Sequence, residues 1–253
     1  MNDVSFRYML DDKTVFNTMF SDMLKREWLD LRTVDEEAFS DFIYRHKVFF
    51  AKPINLFGGK GIIRISTADI SDISEVYRTL KEEHKYCIEE EIIQHSKMNL
   101  LSKSSVNSLR ITTLFVKDTV NVIYSLVRIG ASDSYVDNIS SGGMYCPVDE
   151  NGFITAEAFC DSKIEYFKVH PKTKTEFVGF EIPYYKQAIS LVIAASLRVK
   201  ELKYIGWDVA ITESGPVLIE GNTIPGYDMP QNYRHLKGNK EGLLPRIESL
   251  LNQ

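Results

Sequence analysis

Cysteine is scarce: Cys87, Cys146 and Cys160 are the three in 253 residues. They are odd in number and lack metal-type spacing. They therefore argue against a disulfide framework or a zinc knuckle and read as buried or half-buried thiols in a reducing compartment. No apolar run approaches about eighteen residues, which argues against a membrane-spanning helix. The N-terminus carries Asp3, Arg7, Asp11 and Asp12 instead of a basic patch followed by an apolar stretch, so it does not read as a secretory signal. A long basic run is also missing and the formal net charge is -5, which speaks against a sequence-independent nucleic-acid binder and makes any phosphate binding local. Neither the P-loop spacing G-x-x-x-x-G-K-[ST] nor the dinucleotide spacing G-x-G-x-x-G occurs. There is no internal repeat, low-complexity stretch or long linker. What remains reads as a soluble cytoplasmic chain, 44% hydrophobic, long enough for one large or two interleaved domains with real cores.

Helical spacing of Phe16, Met19, Phe20, Met23 and Leu24 predicts a helix from Lys13 to Trp28, and Phe39, Phe42 and Ile43 behind an Asp35 cap predict a second over Asp35 to His46. Val48 to Ala51 and Ile62 to Ile65 read as strands around a Gly58-Gly59-Lys60-Gly61 loop. Asp69 to His84 reads as an amphipathic helix, and Tyr86 to Ile93 returns to extended structure. Leu109 to Val116 and Val120 to Ile129 form a hairpin pattern across Lys117-Asp118-Thr119. Tyr184 to Leu202, after Pro183, is the strongest helix signal, with Ile189, Val192, Ile193, Ala195 and Leu197 making an apolar surface. The fold class is α+β. The boundaries we draw are a helical segment over 1–46, a small lobe over 47–94 and a large lobe over 95–253.

The chemistry concentrates in a few places. Gly206 to Thr212 and Pro216 to Asn222 read as two apolar strands joined by Glu213-Ser214-Gly215. They carry Asp208, Glu220 and Asn222, three hard oxygen donors, of which Glu220 and Asn222 are two apart and so share a face. Such a set suits magnesium, and taken alone it equally suits an ordinary hairpin with solvated acids. Lys52 ends a strand just before Gly58, Gly59, Lys60 and Gly61, a loop whose glycines let backbone amides approach phosphate oxygens and which could also be purely structural. Glu89-Glu90-Glu91-Ile92-Ile93 lies where the lobes meet; its backbone could present an adenine between Ile92 and Ile93, or it is a solvated acidic strand end. Arg110 and Arg128 sit inside β patterns, where a guanidinium needs a carboxylate or phosphate partner. Asp137 to Gly143, which includes Asn138, is dense in small hydrogen-bonding groups. It could wrap a phosphate or an acceptor, or be a plain turn.

In this order the elements resemble the ATP-grasp superfamily. Lys13, Lys52 before Gly58-Gly59-Lys60-Gly61, the Glu90-Glu91-Ile92-Ile93 hinge, and Asp208 with Glu220 and Asn222 carry the match. Glu220 to Gly226 looks like the terminal metal motif of D-alanine–D-alanine ligases. Ser105-Val106-Asn107-Ser108-Leu109-Arg110, Arg128-Ile129-Gly130, Asp137-Asn138 with Ser141-Gly142-Gly143, and Ile205-Gly206-Trp207-Asp208 resemble the sugar-transfer-associated, or teichuronopeptide-biosynthesis-like, branch. The resemblance implies two α+β lobes clamping ATP, with the usual N-terminal domain ahead of them short or absent. It implies Lys13 and Lys52 on the α- and β-phosphates under the glycine loop, Glu90 and the Ile93 backbone on adenine, and Mg2+ on Asp208, Glu220 and Asn222. Arg110 would stabilise the transferring phosphoryl group.

One departure is local. The arginine that D-alanine ligases carry two positions before the metal aspartate is Gly206 here, which leaves oxyanion stabilisation to Arg110 or Arg128. The implied activity is ATP- and Mg2+-dependent amide formation between a small-molecule carboxylate and an amine through an acyl phosphate, the acceptor being a sugar acid or amino acid of surface-polysaccharide synthesis. No nucleic acid enters. Two alternatives stay open from sequence: a kinase acting on a hydroxyl, and a non-catalytic nucleotide-binding partner. Residue types do not fix the oligomeric state.

Overall fold

Aspartates open three of the helices. The Asp12 carboxylate accepts from the amides of Thr14 and Val15, Asp35 from Ala38 and Asp72 from Glu75, each satisfying amide groups that a first helical turn leaves without partners. A computed structural model describes the chain except at 57, 131–141, 237, 239 and 253. In chain order its helices are α1 (Tyr8–Asp11), α2 (Lys13–Met19), α3 (Ser21–Leu24), α4 (Glu36–Arg45), α5 (Ile73–Glu82), α6 (Tyr185–Arg198) and α7 (Leu244–Asn252). The strands are β1 (Trp28–Asp30), β2 (Val48–Lys52), β3 (Ile63–Ser66), β4 (Cys87–Glu90), β5 (Leu109–Val116), β6 (Thr119–Ile129), β7 (Met144–Val148), β8 (Ala158–Cys160), β9 (Glu165–Phe167), β10 (Tyr204–Thr212) and β11 (Gly215–Asn222). The mixed α+β reading holds.

The chain divides into two compact units, Asp11–Ile92 and Met1–Leu10 with Ile93–Gln253. The smaller unit takes in residues 11–46 of the segment read from sequence as helical, and β1 within that segment pairs antiparallel with β4. Its sheet order is β1-β4-β2-β3. Phe49, Ala51 and Ile88 present one sheet face to Leu31, Phe39, Phe42, Ile43 and Leu80, and these residues form the unit's core. The expected long helix from Lys13 to Trp28 is broken. Phe20 leaves helical geometry at φ -114°, Lys25 turns left-handed at φ 49°, and Trp28 already belongs to β1.

The larger unit holds a seven-stranded antiparallel sheet in the order β11-β10-β5-β6-β7-β8-β9. Helix α6 packs on its β5, β6, β10 and β11 strands through Tyr185, Ala188, Val192, Ala195 and Ser196. Leu197, read as part of the apolar surface, lies a further 100° round the helix and is exposed. Trp207 is fully buried against α6, its indole N–H donating to Thr113 Oγ1 at 3.0 Å and Ser196 Oγ at 2.9 Å. The first residues are stitched to this sheet: Asn2 Nδ2 donates to the carbonyls of Tyr204 and Thr223, both at 2.7 Å, and its Oδ1 accepts from the Tyr204 amide. The three cysteines are free and buried, as expected. No helix among the described residues is long and apolar enough to cross a membrane.

Candidate active site

In the larger unit the geometry starts from strand register. Thr212 faces Gly215 at the β10–β11 turn, and the pairing runs regularly to Val209 opposite Leu218. Continued without change, it would set Asp208 opposite Ile219 and turn Glu220 to the other side of the sheet. A bulge between Asp208 and Val209 shifts the register, so that Asp208 faces Glu220 and Gly206 faces Asn222. A one-residue shift exchanges sheet faces, and here it gathers the three oxygen donors on one. A second shift, between Thr112 and Thr113 on β5, sets Arg110 opposite Leu126. Arg110 faces Asp208 across β5 and β10. Arg128, two beyond Leu126, therefore shares that face as well.

The side chains meet. Asp208 is fully buried. Arg110 donates from Nε to Oδ1 at 2.5 Å and from Nη2 to Oδ2 at 3.1 Å, and Arg128 Nη2 donates to Oδ2 at 2.8 Å. Arg128 also donates to Ser108 Oγ at 2.8 and 3.0 Å, which gives a role to a serine of the quoted motif that carried none before. Burial alone would raise the Asp208 pKa, but Arg110 and Arg128 outweigh it and hold the carboxyl below the usual carboxylate range. Burial opposes the charge on Arg110 too, and Asp208 more than restores it, moving that guanidinium upward. Gly206 is structurally required. A Cβ there would stand 2.7 Å from Pro225 Cβ and 3.1 Å from Arg110 Cδ, so the missing side chain is the space that Arg110 crosses.

The donor set fits a small hard cation. Asp208 and Glu220 are cross-strand partners, and Arg110 and Arg128 already supply positive charge beside them, so the fit to a cation rests on the hard-oxygen chemistry of the donors. Among the described residues no three His, Cys, Asp or Glu side chains form a metal cluster, so the third ligand would have to be the amide oxygen of Asn222. The Asn222 nitrogen points to Gly206 O at 3.2 Å and Asp208 Oδ2 at 3.5 Å. Beside these residues Tyr124 donates to Gly226 O at 2.8 Å, and its ring helps line a cavity of about 880 Å³ with Tyr145, Met229, Arg234, His235 and Arg246.

In the smaller unit Lys52 Nζ donates to Glu89 Oε2 at 2.6 Å. Glu90 lies on the opposite face of β4, where its carboxylate accepts from the Glu27 amide at 3.0 Å, and Glu91 accepts from Arg64 Nε at 2.9 Å. Sequence reading assigned Glu90 and Glu91 to the adenine side and gave Lys52 no acidic partner; the acid beside Lys52 is Glu89. Parity along β4 decides this: Phe50 pairs with Glu89 and Lys52 with Cys87, so Lys52, Cys87 and Glu89 share a face. Lys13 Nζ donates to Leu56 O at 2.6 Å, tying α2 to the glycine loop. Gly58, Gly59 and Gly61 all take φ between 66° and 72°, left-handed backbone that glycine adopts without strain, while Lys60 is exposed. Ile92 ends this unit and Ile93, 70% exposed, begins the continuation of the other. Asn138 lies outside the described residues.

A search of curated proteins gives no match to this sequence. Solved structures do match in fold. The ATP-grasp ligase PsnB with a minimal precursor is 16% identical with TM-score 0.57, over 98% of this chain and 63% of that one. The D-alanine–D-alanine ligase of Bacillus anthracis is 12% identical with TM-score 0.51, over 98% and 64%. A carboxyaminoimidazole ribonucleotide synthase of Aspergillus clavatus complexed with ATP is 13% identical with TM-score 0.53, over 88% and 47%. The chain thus spans less than two thirds of the length of each of these proteins. Residues 1–251 match the family described as sugar-transfer associated ATP-grasp. With that match over almost its whole length, and with an α+β fold shared with ATP-grasp ligases, the chain belongs to the sugar-transfer associated ATP-grasp family.

Proposed function

We propose that this chain is an ATP- and Mg2+-dependent carboxylate–amine ligase that makes an amide through an acyl phosphate. The observation that carries the reading is the single sheet face on which Asp208, Glu220, Asn222, Arg110 and Arg128 converge. A carboxylate oxygen of the acceptor attacks the γ-phosphorus, the bond from that phosphorus to the β–γ bridging oxygen breaks, and ADP leaves with the electron pair. The amine then attacks the acyl carbon, phosphate leaves, and the nitrogen gives up a proton.

Arg110 spends Nε and Nη2 on Asp208, which keeps Nη1 for the oxygens of the moving phosphoryl group. Arg128, braced by Ser108, adds a second fixed positive charge. Magnesium, held by Asp208, Glu220 and Asn222, would neutralise the β- and γ-phosphate oxygens. Lys13, Lys52, Lys60 and the amides of Gly58, Gly59 and Gly61 take the phosphates. Glu90, Glu91 and the backbone of Ile92 and Ile93 take the adenine, and Asn138 stays assigned to the nucleotide on the resemblance. PsnB has been solved with AMPPNP and with Mg and ADP, which supports this choice of ligands. The 880 Å³ cavity beside Tyr124 is of the size that holds a drug-sized ligand. It supports an acceptor larger than a lone amino acid, such as a sugar acid, in a family described as sugar-transfer associated. The compartment is the cytoplasm, where ATP is supplied and three free thiols persist.

The test is release of ADP and phosphate in the presence of Mg2+ and a panel of uronic acids and amines. Release that requires both an acid and an amine is the expected result. A stable phosphoester without free phosphate would replace the ligase reading by a kinase. Tight nucleotide binding without turnover over the whole panel would replace it by a binding protein.

A further inference from the structure

Glu89 is a buried charge for which the proposed chemistry has no use, and its surroundings are unusually complete. It is 3% exposed. Oε2 accepts from Arg26 Nε at 3.1 Å and from Lys52 Nζ at 2.6 Å, and Arg26 Nη2 is ion-paired to it at 3.1 Å. Oε1 accepts from Asn17 Nδ2 at 2.9 Å and faces Cys87 Sγ at 3.5 Å. A carboxylate has roughly four acceptor sites, so Glu89 has none left for a nucleotide. Whatever it does for a ligand passes through a neighbour. Of its two cationic partners, the Arg26 side chain is 3% exposed and the Lys52 side chain 13%, so Lys52 is the one at the open side.

We infer that Glu89 is a positioning residue: gripped by Arg26 and Asn17, it fixes the Lys52 ammonium in the place where a nucleotide phosphate is received. This rests on the reading of Lys52 as a phosphate contact. Lysine is a point charge on a flexible stem, and ordering it costs rotamer freedom. Glu89 settles that cost before any ligand arrives. A carboxylate beside a phosphate site would by itself weaken the site, and Arg26 answers that objection: one carboxylate between two cations leaves the group with the single positive charge that the lysine alone would bring. The ammonium has three N–H donors, of which one goes to Glu89, so donor capacity remains for a ligand. Asn17 shows how firmly the anchor is built. Its nitrogen must face the acidic oxygen, which leaves its Oδ1 buried without a partner among the described residues. A fold tolerates such an orphan where the opposite end of the amide is needed.

The experiment measures the dissociation constant of MgADP by calorimetry in the full chain, in Lys52→Ala, Glu89→Gln and Glu89→Asp, and in each Glu89 variant combined with Lys52→Ala. Lys52→Ala weakens binding about tenfold, Glu89→Gln by a similar factor, and the double variant by no more than Lys52→Ala alone, because Glu89 acts through the lysine. Glu89→Asp keeps the charge that balances Arg26 but withdraws it by one methylene. It preserves the fold even where Glu89→Gln does not, and loses affinity severalfold only when Lys52 is present. Losses that multiply in the double variants, or wild-type affinity in both Glu89 variants, overturn the inference. Wild-type affinity in Lys52→Ala overturns it together with the phosphate reading of Lys52, a pattern distinct from failure of the Glu89 grip alone.

Discussion

At the scale of single residues, Asp208 is a carboxylate with two arginine partners and an acid across from it. Asp208→Asn or Glu220→Gln should lower turnover about a hundredfold or more, since charge stabilisation at the phosphates is the principal catalytic contribution; steady-state ADP release with each variant checks it. Gly206→Ala forces a methyl to within 2.7 Å of Pro225 and against Arg110. We expect about 1–3 kcal/mol of overpacking, seen in urea unfolding, with a fall in kcat larger than any change in KM for ATP because Arg110 is displaced. Glu89 gives a pH signature. Burial opposes its charge, but Arg26 and Lys52 hold its pKa well below the usual 4.5. A depressed folded-state pKa contributes stability above the unfolded value and loses it as the pH falls. Glu89→Gln should therefore cost about 3 kcal/mol near neutral pH. That gap should narrow as the pH drops below 4.5, read from denaturant unfolding at pH 7, 5 and 3.5.

At the scale of elements, what the sequence revealed followed from local chemistry. Asp35 as a cap, the β5–β6 and β10–β11 hairpins and helix α6 are signalled by residue type and period, and all are present. Register was not legible. Glu89 and Glu90 are chemically alike, and only the pairing of Phe50 with Glu89 decides which acid stands beside Lys52. The two bulges that align Asp208, Glu220, Arg110 and Arg128 leave no mark in residue type either. The quoted motifs hold Asp208, Glu220, Arg110 and Arg128, while Arg26 and Asn17, distant in sequence from Glu89, had no signal at all. The break near Phe20 was hidden because Met23 and Leu24 keep the helical period across it. The joint between α6 and its sheet is testable. Trp207→Phe keeps most of the buried ring but removes the N–H shared by Thr113 and Ser196, and should cost about 1–2 kcal/mol in thermal or denaturant unfolding.

For the whole molecule, nucleotide binding should be readable as a gain in stability. A ligand that binds only the folded chain stabilises it by about 2.7 kcal/mol at a hundred times its dissociation constant, which for a chain of this size is about 5–10 °C in Tm. MgADP should produce such a rise by scanning calorimetry, and both Lys52→Ala and Asp208→Asn should reduce it. A full shift in either variant would take that residue out of the nucleotide site.

The division of the chain also carries a consequence for biosynthesis. Asp11–Ile92 is continuous, and its sheet closes with contacts made inside that span. The larger unit is not: Asn2 anchors to Tyr204 and Thr223, the latter 221 positions further along. At roughly 5–20 residues per second of synthesis, Asn2 leaves the ribosome about 10 to 40 s before its partner exists. The smaller unit can be complete on the nascent chain, while residues 1–10, with the Leu10 side chain destined for Gly221, wait for strands still to be made. Of the whole polypeptide, that waiting segment is where we would look for chaperone dependence.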